Sequence, residues 1–285
     1  MANSAVHIPY AGIESIKTTA KEFIRSRELA SPCQSCHNFS RCIKVGTASF
    51  TIMGPHCTRN CRFCSVKFHN RPRKPDVEES ERIAELVSSM GLRHVVLTAV
   101  SRDDLKDMGA GYFARCISEI KWRNPDVIVE AFIPDFQGRK DLIKKVLDAK
   151  PDMIGHSIET VKRLQPIVRD RKMSYRTSLN VLRSIRELDM KIIMKSSLML
   201  GFREYRYEVL AALRHLRRAG VDIVSIGQYL RPTKGHLRVL EYVPRDVFEF
   251  YEREAYQLGF RQVVSRQLAK HSYPSREMIR FIHSR

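Results

Sequence analysis

Between residues 47 and 259, short apolar runs rich in β-branched residues alternate with longer segments whose apolar residues recur every three or four positions. The short runs are TASFTIM (47–53), HVVLTAV (94–100), VIVEAFIP (127–134), MIGHSIE (153–159), KIIMKSSLML (191–200) and DIVSIGQY (222–229). Between them lie SERIAELVSSMG, GAGYFARCISEIKW, RKDLIKKVLDAK, YRTSLNVLRSIRELD and EYRYEVLAALRHLRRAG, and DVFEFYEREAYQLG follows the last run. Apolar runs without a polar face suit strands buried on both sides, and amphipathic helices between them suit parallel crossovers. Six units in a row predict an α/β fold built as an incomplete (β/α)6 TIM-like barrel, with an open doubly wound sheet as the other arrangement. In both, ligands collect at the carboxyl ends of the strands, so residues just after each strand are the first candidates for function. Upstream, residues 1–30 read as a helical lead-in and 31–46 as a cysteine-bearing loop. The expected division is an N-terminal extension (1–46), the barrel (47–243) and a C-terminal helix and tail (244–285).

The 285 residues, 43% of them hydrophobic, suffice for one large core. The densest apolar stretch, 192–201, is broken by Lys195 and two serines, so no membrane span is expected. The N-terminus lacks a basic region followed by a long apolar one, which predicts a cytoplasmic protein. A net charge of +19 favours acidic partners, but the basic residues are spread along the chain and single out none. Cysteine placement is more telling: six of the seven fall between Cys33 and Cys64. Without a secretory signal, clustered cysteines point to metal rather than disulfides. Cys116, at helical spacing from Phe113 and Ile120, reads as core.

Cys57, Cys61 and Cys64 form C-x3-C-x2-C directly after the first predicted strand. Three thiolates can hold a cubane cluster while leaving one iron open to a ligand, whereas structural zinc sites are normally closed by four residues. Cys33, Cys36 and Cys42 form C-x2-C-x5-C. Taken by itself this second group suits a zinc site, completed by His37 or a distant residue, as well as it suits an iron–sulfur cluster.

The C-x3-C-x2-C segment, with Phe63 before its last cysteine, resembles the motif of radical S-adenosylmethionine (SAM) enzymes. Over residues 30–275 the chain further resembles the lipoyl synthase family. The segments that carry this are GTASFTIMGPHCTRNCRFCSV, TAVSRDDLKDMGAGYFA, IPDFQG, IETVKRLQPIVRDR, YRTSLNVL, IGQYLRPTKGHL and HSYPS. The resemblance implies a partial barrel of the radical SAM type with N- and C-terminal extensions. It also implies sulfur insertion at C6 and C8 of an octanoyl group, using SAM and two [4Fe–4S] clusters. Cys57, Cys61 and Cys64 would hold the SAM-binding cluster; Cys33, Cys36 and Cys42, with Ser272 as fourth ligand, would hold the auxiliary cluster that donates sulfur. Two features depart from the family: its upstream spacing is C-x4-C-x5-C, and its terminal Arg-Ser is here Lys270-His271.

Among the polar residues at predicted strand ends, Glu159, Lys195 and Ser157 are candidates for SAM, and Arg231 for the substrate-facing rim. The implied partners are an octanoylated lipoyl carrier domain or glycine-cleavage H protein and an electron donor such as ferredoxin or flavodoxin. A second radical SAM subunit, each partner making one insertion, is an alternative. Nucleic acid is not expected as a partner. The rival readings are an RNA methylthiotransferase, which shares two clusters, and a zinc-stapled nucleic-acid-binding protein.

Overall fold

The computed structural model describes residues 39–269, so Cys33, Cys36 and Ser272 lie outside the described residues. Helix α1 (Phe39–Lys44) precedes strand β1 (Thr47–Ile52), so part of the expected cysteine loop is helical. Two short strands, β2 (His56–Cys57) and β3 (Lys67–Phe68), pair in parallel and bracket the loop bearing Cys61 and Cys64. Helices and strands then alternate: α2 (Glu79–Ser89), β4 (His94–Ala99), α3 (Ala110–Arg123), β5 (Ile128–Phe132), α4 (Lys140–Asp148) and β6 (Met153–Gly155). They continue through α5 (Gln165–Val168), α6 (Tyr175–Leu188), β7 (Ile193–Leu200), α7 (Arg206–Arg218), β8 (Ile223–Gln228), α8 (Arg245–Gln257) and β9 (Gln262–Ser265). None of the described helices is long and apolar enough to cross a membrane.

The main sheet has seven strands in the order β1-β4-β5-β6-β7-β8-β9, and every neighbouring pair is parallel. Strands β1 and β9 are its two edges, so the barrel stays open on one side. The expected partial barrel is present, with one strand more than the six read from the sequence. The extra strand, β9, comes from the segment assigned to the tail, so the sheet runs past residue 243. Its four residues, QVVS, are too short to give a periodic signal. Conversely, MIGHSIE supplies only three strand residues, after which the backbone leaves the sheet and rejoins it through a single bridge between Glu159 and Leu198.

Alternation along the strands sorts the two faces. Ala48, Phe50, Ile52, Val95, Leu97, Val129, Ala131, Met194 and Val224 point outward into one apolar cluster with the helices, including Ile83, Phe113, Ile117 and Leu182. Burying each of the larger of these side chains contributes about 1.5–3 kcal/mol, so this outer layer carries the fold. The concave face is different. Met153, Ile193 and Ile223, the first residues of β6, β7 and β8, plug its amino-terminal end. Beyond that plug the lining turns polar, with Glu130, Lys195, Ser197 and Ser225 all buried. A closed base and a polar interior leave the carboxyl ends of the strands as the place for chemistry.

Candidate active site

The chain turns sharply after β1: Met53 and Gly54 both take positive φ, 68° and 83°. This bend carries Cys57, Cys61 and Cys64 over the carboxyl end of the sheet. Each of the three sulfurs accepts a backbone N–H from a different segment. Ser101 donates to Cys57 Sγ at 3.3 Å, Asp170 donates to Cys61 Sγ at 3.3 Å, and Val66 donates to Cys64 Sγ. Among the described residues no three His, Cys, Asp or Glu side chains converge on a single-ion site. The three thiols are displayed as oriented acceptors, near enough for Cys61 to feel Cys64 and Cys64 to feel Cys57. Burial pushes the Cys61 thiol up to about 12 and that of Cys64 up to about 11. Both thiols are thus protonated at neutral pH, and binding iron would require that they give up their protons.

A buried arginine fixes this loop. Arg59, only 3% exposed, donates to Asp103 through Nε and Nη2 at 3.0 and 2.8 Å. It also donates to Asp135 through Nη1 and Nη2, both at 2.7 Å. Asp103 and Asp135 follow β4 and β5, so one side chain ties the loop to two strand ends. Burial opposes these charges, but the pairing wins: the arginine pKa is raised and both carboxyls stay below their usual range. Thr58 adds a bond from Oγ1 to Asp103 Oδ2 at 2.8 Å. The far end of the loop is tied down by the segment after β8. His236 Nε2 donates to the Cys64 carbonyl at 2.9 Å, and Leu237 N–H donates to the Arg62 carbonyl at 3.1 Å. Because that carbonyl can only accept, the imidazole proton sits on Nε2, leaving Nδ1 to accept from the Thr233 hydroxyl at 2.9 Å.

The three residues singled out for SAM, and Arg231 for the substrate-facing rim, fare differently. Glu159 stands at the rim in a left-handed conformation, φ 63°, where its charge is felt by Cys61 and Cys64. Burial raises its pKa, with Arg169 partly opposing the rise. Ser157 is occupied in shaping this corner. Its hydroxyl donates to the Ser197 carbonyl at 3.0 Å and accepts from Ser197 Oγ and from Glu159 N–H. Lys195 is not brought to the rim. It is fully buried in an ion pair with Glu130 at 3.2 Å, beside His94, and Ser197 and Met199 separate it from the strand end. Arg231 donates to the carbonyls of Lys234 and, at 2.9 Å, His236, so it braces the segment that holds Cys64.

Sequence reading passed over Arg59, Arg169 and His236. Arg169 is buried, donates from Nη1 to Gln165 and Ser178 at 3.1 and 2.8 Å, and keeps a buried Nε without a partner. Electrostatically it faces both Glu159 and Cys61. A carboxylate and a guanidinium beside the cysteine loop would suit the ammonium and carboxylate of SAM's methionine end. The signal in sequence would have been the run Arg169-Asp170, two residues that both address Cys61.

Cys42 is 6% exposed and packs with Val264 of β9 and Ala269, the last described residue. The chain after β9 crosses the end of β8: Gln228 N–H donates to the Gln267 carbonyl at 3.1 Å. Gly227 lets it pass, since a Cβ there would lie 2.2 Å from the Ala269 carbonyl oxygen. Cys42 and the described end of the chain at Ala269 thus meet at one place. Cys116 sits in the apolar core of α3, as its spacing implied.

Residues 51–216 match the model of the radical SAM superfamily. The chain is 47% identical over 270 residues to the lipoyl synthase of Halobacterium salinarum, covering 92% of this chain and 86% of that protein. It is 47% identical over 255 residues to that of Thermus thermophilus, covering 89% and 79%. Of the longer apicoplast lipoyl synthase of Plasmodium knowlesi, 40% identical, it spans 59%. Among solved structures it shares its fold with methylornithine synthase, at a TM-score of 0.57 and 13% identity over 96% of this chain and 88% of that one. These relationships set aside the RNA methylthiotransferase and zinc-stapled readings. With its three amide-capped cysteines on the loop after β1, the chain belongs to the lipoyl synthase family of the radical SAM superfamily.

Proposed function

We propose that this protein inserts sulfur at C6 and C8 of an octanoyl group carried on a lysine of a lipoyl carrier domain or glycine-cleavage H protein. The observation that carries the reading is the loop after β1, whose three half-buried cysteines each have their sulfur aimed by a backbone amide. Cys57, Cys61 and Cys64 hold one [4Fe–4S] cluster, and Cys33, Cys36 and Cys42 with Ser272 hold the second. When bound, SAM and the two clusters supply a radical that removes hydrogen from the acyl chain and the sulfide that replaces it. The chain's own residues position and shield. Arg59 holds the loop over the sheet, Glu159 and Arg169 present opposite charges to the methionine end of SAM, and Ser157 sets the angle of Glu159. The meeting of Cys42 with Ala269 supports Ser272 as fourth ligand, because residue 272 is three positions further on.

Anaerobic incubation with an octanoyl-lysine peptide, SAM and dithionite tests this. The reconstituted protein is expected to hold about eight irons and to yield 5′-deoxyadenosine and dithiolated peptide. Replacing Cys57, Cys61 and Cys64 with Ala should halve the iron and abolish SAM cleavage. Continued 5′-deoxyadenosine formation by that variant would remove the assignment of this loop. Monothiolated peptide as the end product would instead point to a second subunit that completes the reaction.

A further inference from the structure

Beside the cysteine loop lies a groove of about 760 Å³ whose lining includes Arg62, Arg163, Arg203, Arg231, Lys234 and Arg238 and no carboxylate. Arg163 is neutralised by a two-bond pair with Glu208, at 2.8 Å each. None of the other five has a carboxylate partner among the described residues, whereas exposed cations elsewhere do, such as Lys140 with Glu187 and Arg245 with Glu249. Two apolar side chains in the same lining, Ile167 and Leu240, are 47% and 50% exposed. Unopposed cations around exposed aliphatic surface make a face complementary to an acidic protein with an apolar contact at its centre.

Position decides which acidic protein. Arg62 lies between Cys61 and Cys64, and the groove's other wall is the segment whose His236 and Leu237 bond to the Cys64 and Arg62 carbonyls. A partner seated here is one strap of backbone away from the sulfurs. That distance suits transfer of an electron, which needs proximity without contact. It does not suit delivery of an acyl chain. The acyl chain has to reach the open side of the barrel, where Cys42, β9 and Ala269 meet, and no residue of that corner lines the groove.

We infer that this groove docks an acidic, low-potential one-electron carrier protein, which reduces the cluster on the cysteine loop. The inference rests on the proposed role of that loop. In the transfer the donor is oxidised by one electron and the cluster reduced by one; no covalent bond is made or broken at the docking face.

The test is the variant Arg203→Glu, Lys234→Glu, Arg238→Glu in the holoenzyme, with an acidic flavodoxin as probe. Calorimetric titration with oxidised flavodoxin, which supports no turnover, should show binding at least about tenfold weaker in the variant. Wild-type binding should itself weaken as ionic strength rises. Zero-length carbodiimide cross-linking should join flavodoxin carboxylates to Lys234 in the unaltered protein. Flavodoxin-driven SAM cleavage should fall with the binding, while dithionite-driven cleavage and lipoylation of the carrier domain stay unchanged. Unchanged flavodoxin affinity would overturn the inference. So would a variant that loses affinity for the carrier domain, or for a single-stranded RNA oligomer, and keeps it for flavodoxin. Absence of dithionite-driven cleavage in the unaltered protein would remove the reading of the loop, and the docking inference with it.

Discussion

Two buried side chains show what single residues do here. Arg59 makes four hydrogen bonds to two carboxylates, a geometry only a planar fork can satisfy. Lysine has three donors on one point charge and cannot pair with both carboxylates through two bonds each. Arg59→Lys should therefore destabilise by about 3 kcal/mol, since breaking a buried ionic network leaves charge uncompensated. It should also loosen the cysteine loop. Lower thermal stability together with faster iron loss to a chelator is the expected pair of results. His156 donates from Nδ1 to the Ile133 carbonyl at 3.0 Å and accepts from Ser178 Oγ at Nε2. Burial, aided by the charge of Arg169, lowers its pKa to about 4. The folded state then resists a proton that the unfolded chain accepts near pH 6.5. Stability from this group is complete above that pH and is lost as pH falls toward 4, by about 3 kcal/mol in all. Calorimetric melting between these pH values should show the loss, and His156→Gln should flatten it. The cysteines of the loop could be read from spacing alone. Arg59 and Arg169 could not, because their partners lie in other strand ends and nothing in a linear pattern marks which arginine is buried.

At the scale of elements, the strands of the barrel announced themselves as apolar runs because both faces are covered. Strand β9 did not, being four residues long, and MIGHSIE overstated a strand because Ile158, the one apolar residue of its second half, packs in the core from an irregular segment. Lys195 was misleading in the same way. Its place in a strand was clear, but which turn of the pleat it occupies relative to the mouth depends on barrel stagger, and it lies low, against Glu130. The crossing of β8 by the segment after β9 depends on one residue without a side chain. Gly227→Ala should push that segment off, because the added carbon meets backbone that has no flexible end to yield. In the holoenzyme, iron should drop from about eight to about four while dithionite-driven SAM cleavage continues and dithiolated product is lost. Full iron content in this variant would detach the segment from the second cluster.

For the whole molecule, the charge of +19 gave a sign for the partners but no address. The address needed the fold, which gathers cations from positions 62, 203, 231, 234 and 238 into one face. The same gathering has a temporal side. The loop that begins at Cys57 is complete in the first quarter of the chain, yet its supports arrive late: Ser101, Asp135, Asp170 and, 172 residues beyond Cys64, His236. Contacts so distant in sequence are slow to form. During synthesis from the N-terminus, the cysteines leave the ribosome well before any surface exists to orient them. A cluster offered to the nascent chain would meet three mobile thiols rather than a site. Orientation of the site is therefore ordered by topology: the loop gains its last support only when the segment after β8 is in place, and the corner near Cys42 waits longer still, for β9.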